Sequence, residues 1–181
     1  MIAPSTVSLF YALLAVVANV AVVALVVLAL LGRLDDVRDA LGGSALTGAL
    51  VVALLAAAGS LYFSDVAGYE PCALCWYQRI AMYPLVVLLG IAAWRSDPGV
   101  RRYAAPLAGI GALIALYHYA VEWLPGLDAG VCSATTPCTV VWFRELGFAS
   151  LPYLALSAFL LIGALLWVAQ PAVDDREASA A

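Results

Sequence analysis

The chain has 181 residues, of which 66% are hydrophobic and 11% charged, against about a quarter charged in an ordinary soluble domain. A water-soluble fold of this length has too little interior to hide that much apolar surface, so the composition excludes a soluble globule and makes lipid the solvent. The formal net charge of −4 comes largely from Asp35, Asp36 and Asp39 and from Asp174, Asp175 and Glu177, and it offers no basic surface for nucleic acid.

The first apolar run, Leu9 to Leu31, is 23 residues long, within the roughly 17–25 residues that a helix needs to cross the hydrocarbon core. A cleavable signal peptide would have a basic start and a shorter apolar core. Met1 to Phe10 holds no Lys or Arg, and the positive charge follows the run, so a retained helix is expected. Gly32 to Gly43, with mixed charges and a closing Gly-Gly, is expected to be a linker. The second helix is then predicted over Ser44 to Phe63 and the third over Trp76 to Trp94. The charge-free part of the third, Ile80 to Trp94, has only 15 residues, which brings Arg79 into its first turn near the membrane surface. Helices four and five are predicted over Tyr103 to Trp123 and Phe148 to Val168. Inside lipid every backbone amide needs a partner within its own segment, and Ala, Leu and Val dominate these runs, so the expected fold is all-α.

All eight basic residues are arginines. Arg33 and Arg38 fall between helices one and two, Arg95, Arg101 and Arg102 between three and four, and Arg176 in the tail. The positive-inside rule makes these three segments cytoplasmic and turns the N-terminus, the loop Ser64 to Cys75 and the loop Leu124 to Gly147 outward. Arg79 and Arg144 break the pattern, and both stand beside cysteine-bearing loops.

The four cysteines all fall in the two outward loops, as Cys72 and Cys75 in a Cys-x-x-Cys and as Cys132 and Cys138 with five residues between them. Outside a bacterial plasma membrane such pairs can be disulfides, metal ligands or redox catalysts. Pro71 suits a first helical position, which would put Cys72 and Cys75 in the opening turn of helix three, where amide dipoles stabilise a thiolate. Cys72, Cys75 and Arg79, at i, i+3 and i+7, share one helical face. A helix N-terminus and a fixed cation both lower a thiol pKa, and a charge at the lipid boundary is costly unless it works. Two other readings stand beside this one. A tetracysteine zinc site has acceptable spacing, although the neighbouring arginine would repel the metal. Inert staples in a small transporter or assembly protein would also use two pairs, although a bridge across Cys-x-x-Cys closes too small a loop to constrain much of the unfolded chain.

The run Pro71-Cys-Ala-Leu-Cys-Trp-Tyr-Gln-Arg79 resembles the signature of the disulfide bond formation protein B family, DsbB and its Gram-positive counterpart BdbC. The resemblance continues through Tyr117-His-Tyr-Ala-Val-Glu122, Cys132, Cys138 and the run from Cys138 to Phe148, and covers about residues 44 to 170. Vitamin K epoxide reductases use similar parts, but there the loop pair precedes the Cys-x-x-Cys; here it follows. The resemblance implies a four-helix transmembrane bundle at 44–170, to which the apolar runs and charges add a transmembrane helix and cytoplasmic linker at 1–43 and a polar cytoplasmic tail at 171–181. It implies a thiol oxidase of the bacterial plasma membrane that reoxidises an extracytoplasmic DsbA-like thioredoxin-fold partner and passes electrons to a membrane quinone, ubiquinone or menaquinone. By the same resemblance Cys75 contacts the quinone and Cys72 exchanges with the loop pair. Cys132 is the sulfur attacked by the partner, Arg79 is the quinone-site arginine, and His118 lies near the same ring.

The chemistry imposes its own demands. A DsbA-like partner is a strong oxidant, at about −120 mV, so a quinone supplies a driving force that a glutathione-like pool would not. The second loop has to bring Cys138 to Cys72. Val140 to Phe148 would hold it near the surface as an interfacial helix, with Arg144 and Glu145 in water, or else simply begin helix five. His118 and Glu122, at i and i+4, suggest a proton path or a helical hydrogen-bonded pair, with the site role given to His118. Tyr62, Trp94, Tyr103, Trp123 and Trp167 are expected to anchor helix ends, and Gly109 and Gly111 to permit close packing.

Overall fold

A computed structural model of the protein describes residues 4–133 and 135–169. The expected polar tail, with Arg176, lies outside the described residues. Five helices follow in order, α1 (Pro4–Leu30), α2 (Leu34–Leu61), α3 (Ala73–Arg95), α4 (Arg101–Trp123) and α5 (Leu151–Val168), with no strand among the described residues. All five are long and apolar enough to cross a membrane. The fold is therefore the all-α, polytopic membrane architecture that the apolar runs imply.

Helices α2 to α5 form the bundle, each packed on its neighbour, and α1 lies outside it against α5 and α2. Lipid tails are as apolar as leucine, so association depends on close packing. Ala49, Ala53, Ala104, Ala108 and Ala115 accordingly line the interior, around a centre of Leu85, Leu89, Phe159, Ile162 and Leu166. Val17, Val20, Val23, Ile80 and Leu113 point outward instead. Because successive helices reverse direction, both cysteine loops come to one end of the bundle. Arg33, Arg38, Arg95, Arg101 and Arg102 come to the other.

The expected linker at Gly32 to Gly43 is largely helical. Gly32, at φ 74°, turns the chain directly from α1 into α2, which begins at Leu34 rather than Ser44 and continues through Gly42 and Gly43. Asp35 and Asp36 complement the positive end of the helix dipole and pair with Arg38 at 3.0 Å and Arg33 at 2.9 Å. The charges that suggested a linker thus stabilise roughly three further helical turns. At its other end α2 widens into a single π turn, Tyr62–Val66.

Val140 to Phe148 forms neither an interfacial helix nor the start of α5. Leu146 and Gly147 have φ values of 54° and 81°, a left-handed pair that no α-helix accommodates. They close a tight reversal in which Glu145 and Ala149 exchange backbone hydrogen bonds of 2.9 and 2.8 Å. Helix α5 then begins at Leu151, with Pro152 in its first turn.

Of the two glycines expected to permit close packing, only Gly111 does so. A Cβ there would overlap the Phe159 ring, whereas one at Gly109 meets open space. Gly111→Val should therefore destabilise the bundle by about 1–3 kcal/mol through overpacking, and Gly109→Ala should not, as read by heat denaturation in detergent.

Candidate active site

Helix α3 begins at Ala73, so Cys72 is its N-cap, one position earlier than the opening turn expected for it, and Pro71 precedes the helix. The Cys72 backbone is extended (φ −74°, ψ 174°), and its sulfur accepts the Cys75 amide at 3.4 Å, the task a serine or aspartate oxygen usually performs at a helix start. Cys75, three residues on, faces back along the same side, with the two Sγ atoms 2.9 Å apart. Both cysteines of this pair are free, while Cys132 and Cys138 form a disulfide.

The disulfide packs directly on this helix start. Cys138 is 1% exposed, in one cluster with Cys72, Leu74 and Val121, and Cys75 and Cys132 border it. His118 of α4 joins the two loops. Its Nδ1 accepts from the Gln78 side-chain amide at 3.1 Å, so the ring proton is on Nε2. That nitrogen donates to the Cys138 carbonyl at 3.2 Å and lies 3.7 Å from the Cys72 sulfur. The Cys72 thiol is lowered from the ordinary 9.0 to about 4. The hydrogen bond from the Cys75 thiol contributes most, His118 adds to it, and burial opposes both.

Stacked rings fasten the loops together. Tyr69, from the first loop, lies between Phe63 and Trp142 with nearly parallel planes, at centroid distances of 5.8 and 4.8 Å. Phe143 leans on Phe63 at 5.3 Å. Nothing in the residue spacing singles out Tyr69, Trp142 or Phe143, because their pairing joins loops more than seventy residues apart.

Arg79 lies one turn below Cys75, as the spacing suggests, over the Trp76 ring at 5.1 Å. Its Nε and Nη2 donate to the hydroxyl and carbonyl of Ser60, each at 2.9 Å. Ser60 belongs to α2, so the guanidinium bridges α2 and α3. Both Arg79 and Cys75 line a cavity of about 290 Å³ between α1, α2, α3 and α5, whose remaining walls are mostly aliphatic and aromatic. Cys75 also lines a second cavity of about 150 Å³, bounded by Cys72, His118, Glu122 and residues of the disulfide loop. His118 borders this smaller chamber and not the larger one, so its place is beside the sulfur pairs, away from Arg79.

Glu122 departs from the expected water-boundary pair with His118. It is buried and accepts a 2.5 Å hydrogen bond from the Ser150 hydroxyl, a partner 28 residues on that no helical spacing reveals. Arg144, expected in water, lies over the Trp123 ring at 4.0 Å, and Glu145 accepts from the Ser8 hydroxyl of α1 at 2.6 Å. With Cys132 and Cys138 bridged, the sulfurs of that pair are engaged with each other and not with a tetracysteine site. The remaining trio of Cys72, Cys75 and His118 brings its donor atoms within 4.8 Å. Thiolates on a tetrahedral zinc would stand about 3.8 Å apart, given a Zn–S bond of about 2.3 Å. The 2.9 Å between the sulfurs is shorter than that and longer than the roughly 2.05 Å of a disulfide, and it is a contact in which one thiol hydrogen-bonds to the other.

A buried thiol pair on a helix start, stacked against a disulfide at one end of a membrane bundle, defines a membrane thiol–disulfide protein. The profile of the family "Disulfide bond formation protein DsbB" matches residues 42–169. The chain is similar to "Disulfide bond formation protein C" of Bacillus subtilis (strain 168), at 49% identity over 62% of this chain and 82% of the relative. It is also similar to a "Probable disulfide formation protein" of Coxiella burnetii (strain CbuK_Q154), at 42% identity over 72% of this chain and 90% of the relative. No solved structure matches. The chain belongs to the DsbB family of disulfide bond formation proteins, a membership that implies a multi-pass membrane protein with disulfide oxidoreductase activity.

The depressed Cys72 value gives a signed pH dependence for the dithiol form. A folded value below the unfolded one stabilises that form above about 9.0, and the stabilisation is lost as pH falls through about 4. Ultraviolet thiolate absorbance of the reduced protein should titrate with a midpoint near pH 4, and His118→Ala should move the midpoint upward. A parent midpoint in the range of an ordinary thiol would contradict the geometry.

Proposed function

We propose that the protein is a quinone-dependent thiol oxidase that reoxidises an extracytoplasmic, DsbA-like thioredoxin-fold protein and so drives disulfide formation. The observation that carries this reading is the position of Cys75, which borders both the chamber lined by Cys72, His118 and Thr135 to Pro137 of the disulfide loop and the apolar cavity lined by Arg79. The arginine distribution supports an orientation in a bacterial plasma membrane with the N-terminus and both cysteine loops outside and the C-terminus in the cytoplasm.

The electron path to the Cys72–Cys75 pair runs through two exchanges, each of two displacements. A partner thiolate attacks the Cys132 sulfur, Cys138 leaves as a thiolate, and the second partner thiol displaces Cys132. The partner becomes a disulfide, and the loop pair holds the two electrons as a dithiol. When Cys72 and Cys75 are joined as a disulfide, the Cys138 thiolate attacks Cys72 and Cys75 leaves. Cys132 then attacks Cys138, which restores the loop bridge and leaves Cys72 and Cys75 reduced. The contact between the Cys138 segment and Cys72, through His118, supports this route. The Cys75 thiol and, to a smaller extent, His118 favour the Cys72 thiolate, which makes Cys72 a good leaving group when Cys132 attacks Cys138.

The larger cavity fits a lipid-soluble ring compound, because it is apolar along its length and polar where Arg79 and Cys75 meet. Ubiquinone or menaquinone bound there would accept two electrons and two protons and become the quinol as the Cys72–Cys75 disulfide re-forms. Arg79 has two nitrogens fixed on Ser60, and Nη1 has no hydrogen-bond partner among the described residues. Its charge would favour a quinone oxygen placed beside it.

Oxidised protein incubated without oxygen with a reduced DsbA-like partner and either quinone should produce quinol, read by absorbance. Cys75→Ser should abolish it, and Arg79→Ala should raise the quinone KM by about tenfold, the loss of one charged hydrogen bond. No quinol with any quinone and partner would sink this reading, and activity surviving Cys75→Ser would favour structural staples.

A further inference from the structure

Helix α1 lies outside the segment that matches the DsbB family, yet it is built into the cavity beside Cys75. Three contacts fix its rotation and depth. The Asn19 amide on α1 donates to the Tyr153 and Ser157 hydroxyls on α5, at 2.9 and 2.8 Å. Such polar contacts between helices hold a chosen register in lipid, where nothing else specifies one. The Tyr11 hydroxyl donates to the Leu55 carbonyl on α2 at 3.1 Å. Its ring occupies the notch left by Gly59, where a Cβ would come within 2.7 Å. The Ser8 hydroxyl reaches Glu145 in the second loop.

The face held inward by these contacts is a wall of the cavity. Leu14, Ala15, Ala18 and Ala21 line it, opposite residues of α2, α3 and α5. Ala15 and Ala18 are buried, at 6% and 8% exposure, while Val17, between them, is 65% exposed and borders the cavity at its lipid side. The wall is therefore smooth and narrow along its inner line and opens to lipid at its edge, a shape suited to a long unbranched-to-methylated apolar chain entering sideways.

We propose that α1 is the side wall of the quinone site and that its small residues hold the prenyl chain of the bound quinone, which makes α1 a determinant of quinone affinity. The proposal rests on the quinone reading above. In the absence of that wall, the cavity would be a groove of α2, α3 and α5 residues open on the side that α1 now covers.

Ala18→Phe fills the channel, and Leu14→Ala widens the same wall without crowding, which covers the case that phenylalanine prevents folding. Val20→Phe, on the outward face of α1 at 65% exposure, serves as the control. Two readouts are independent of turnover: the quinone retained through purification, extracted and quantified, and the rise in heat-denaturation midpoint on adding a prenylated benzoquinone. Ala18→Phe and Leu14→Ala should retain several-fold less quinone, lose most of the midpoint rise and show a quinone KM raised about tenfold, whereas Val20→Phe behaves as the parent. Parent-like retention and KM in both inward variants, in a protein whose parent reduces quinone, would overturn the assignment of α1. A parent that neither retains nor reduces quinone would instead overturn the quinone reading itself.

Discussion

Cys72 stands where the backbone of α3 has free amides to satisfy, and its sulfur answers one of them. Most helix starts give that position to an oxygen. A sulfur there is tied to the helix axis, close to the positive end of the dipole, and its neighbour three residues on is brought back alongside it. His118 then needs only to reach across from α4 to set the charge on Cys72 and, through the Cys138 carbonyl, the seat of the loop bridge. Removing the extended N-cap geometry would displace both sulfurs, the histidine contact and the loop together.

The loops are held by means other than regular structure. The Phe63, Tyr69 and Trp142 stack and the Arg144–Trp123 contact supply the packing that a missing interfacial helix would otherwise provide. Broad, flat faces can slide over one another with less loss than interlocked aliphatic side chains. Such a fastening suits the shift that the proposed exchange asks of this segment. The Glu145 to Ser8 hydrogen bond ties the far side of the same loop to α1, so the additional helix touches both the cavity wall and the exchange loop.

The five apolar runs, the reversal of direction between them and the clustering of the four cysteines were legible from residue type and spacing, because lipid leaves few ways to satisfy a backbone. The face shared by Cys75 and Arg79 was legible for the same reason. The start of α2 was not, since Asp35, Asp36, Arg33 and Arg38 have the composition of a linker and declare a helix only when their pairs are seen. Leu146 adopts a left-handed conformation that leucine rarely takes, so a helical pattern over Val140 to Phe148 was the natural expectation and the wrong one. Glu122 and Ser150, like Tyr69 and Trp142, meet across loops, where local periodicity carries no information.

Cys75 is the only sulfur that borders both chambers among the described residues. Glu70, Trp142 and Leu151 border both as well, so the partition is made of a few side chains, one of them a thiol. A bulky visitor on either side gains no steric claim on the other, and charge can cross the divide without either guest having to leave first. Under the proposed function, such a partition lets a large protein and a greasy small molecule be served by one centre while never sharing a room.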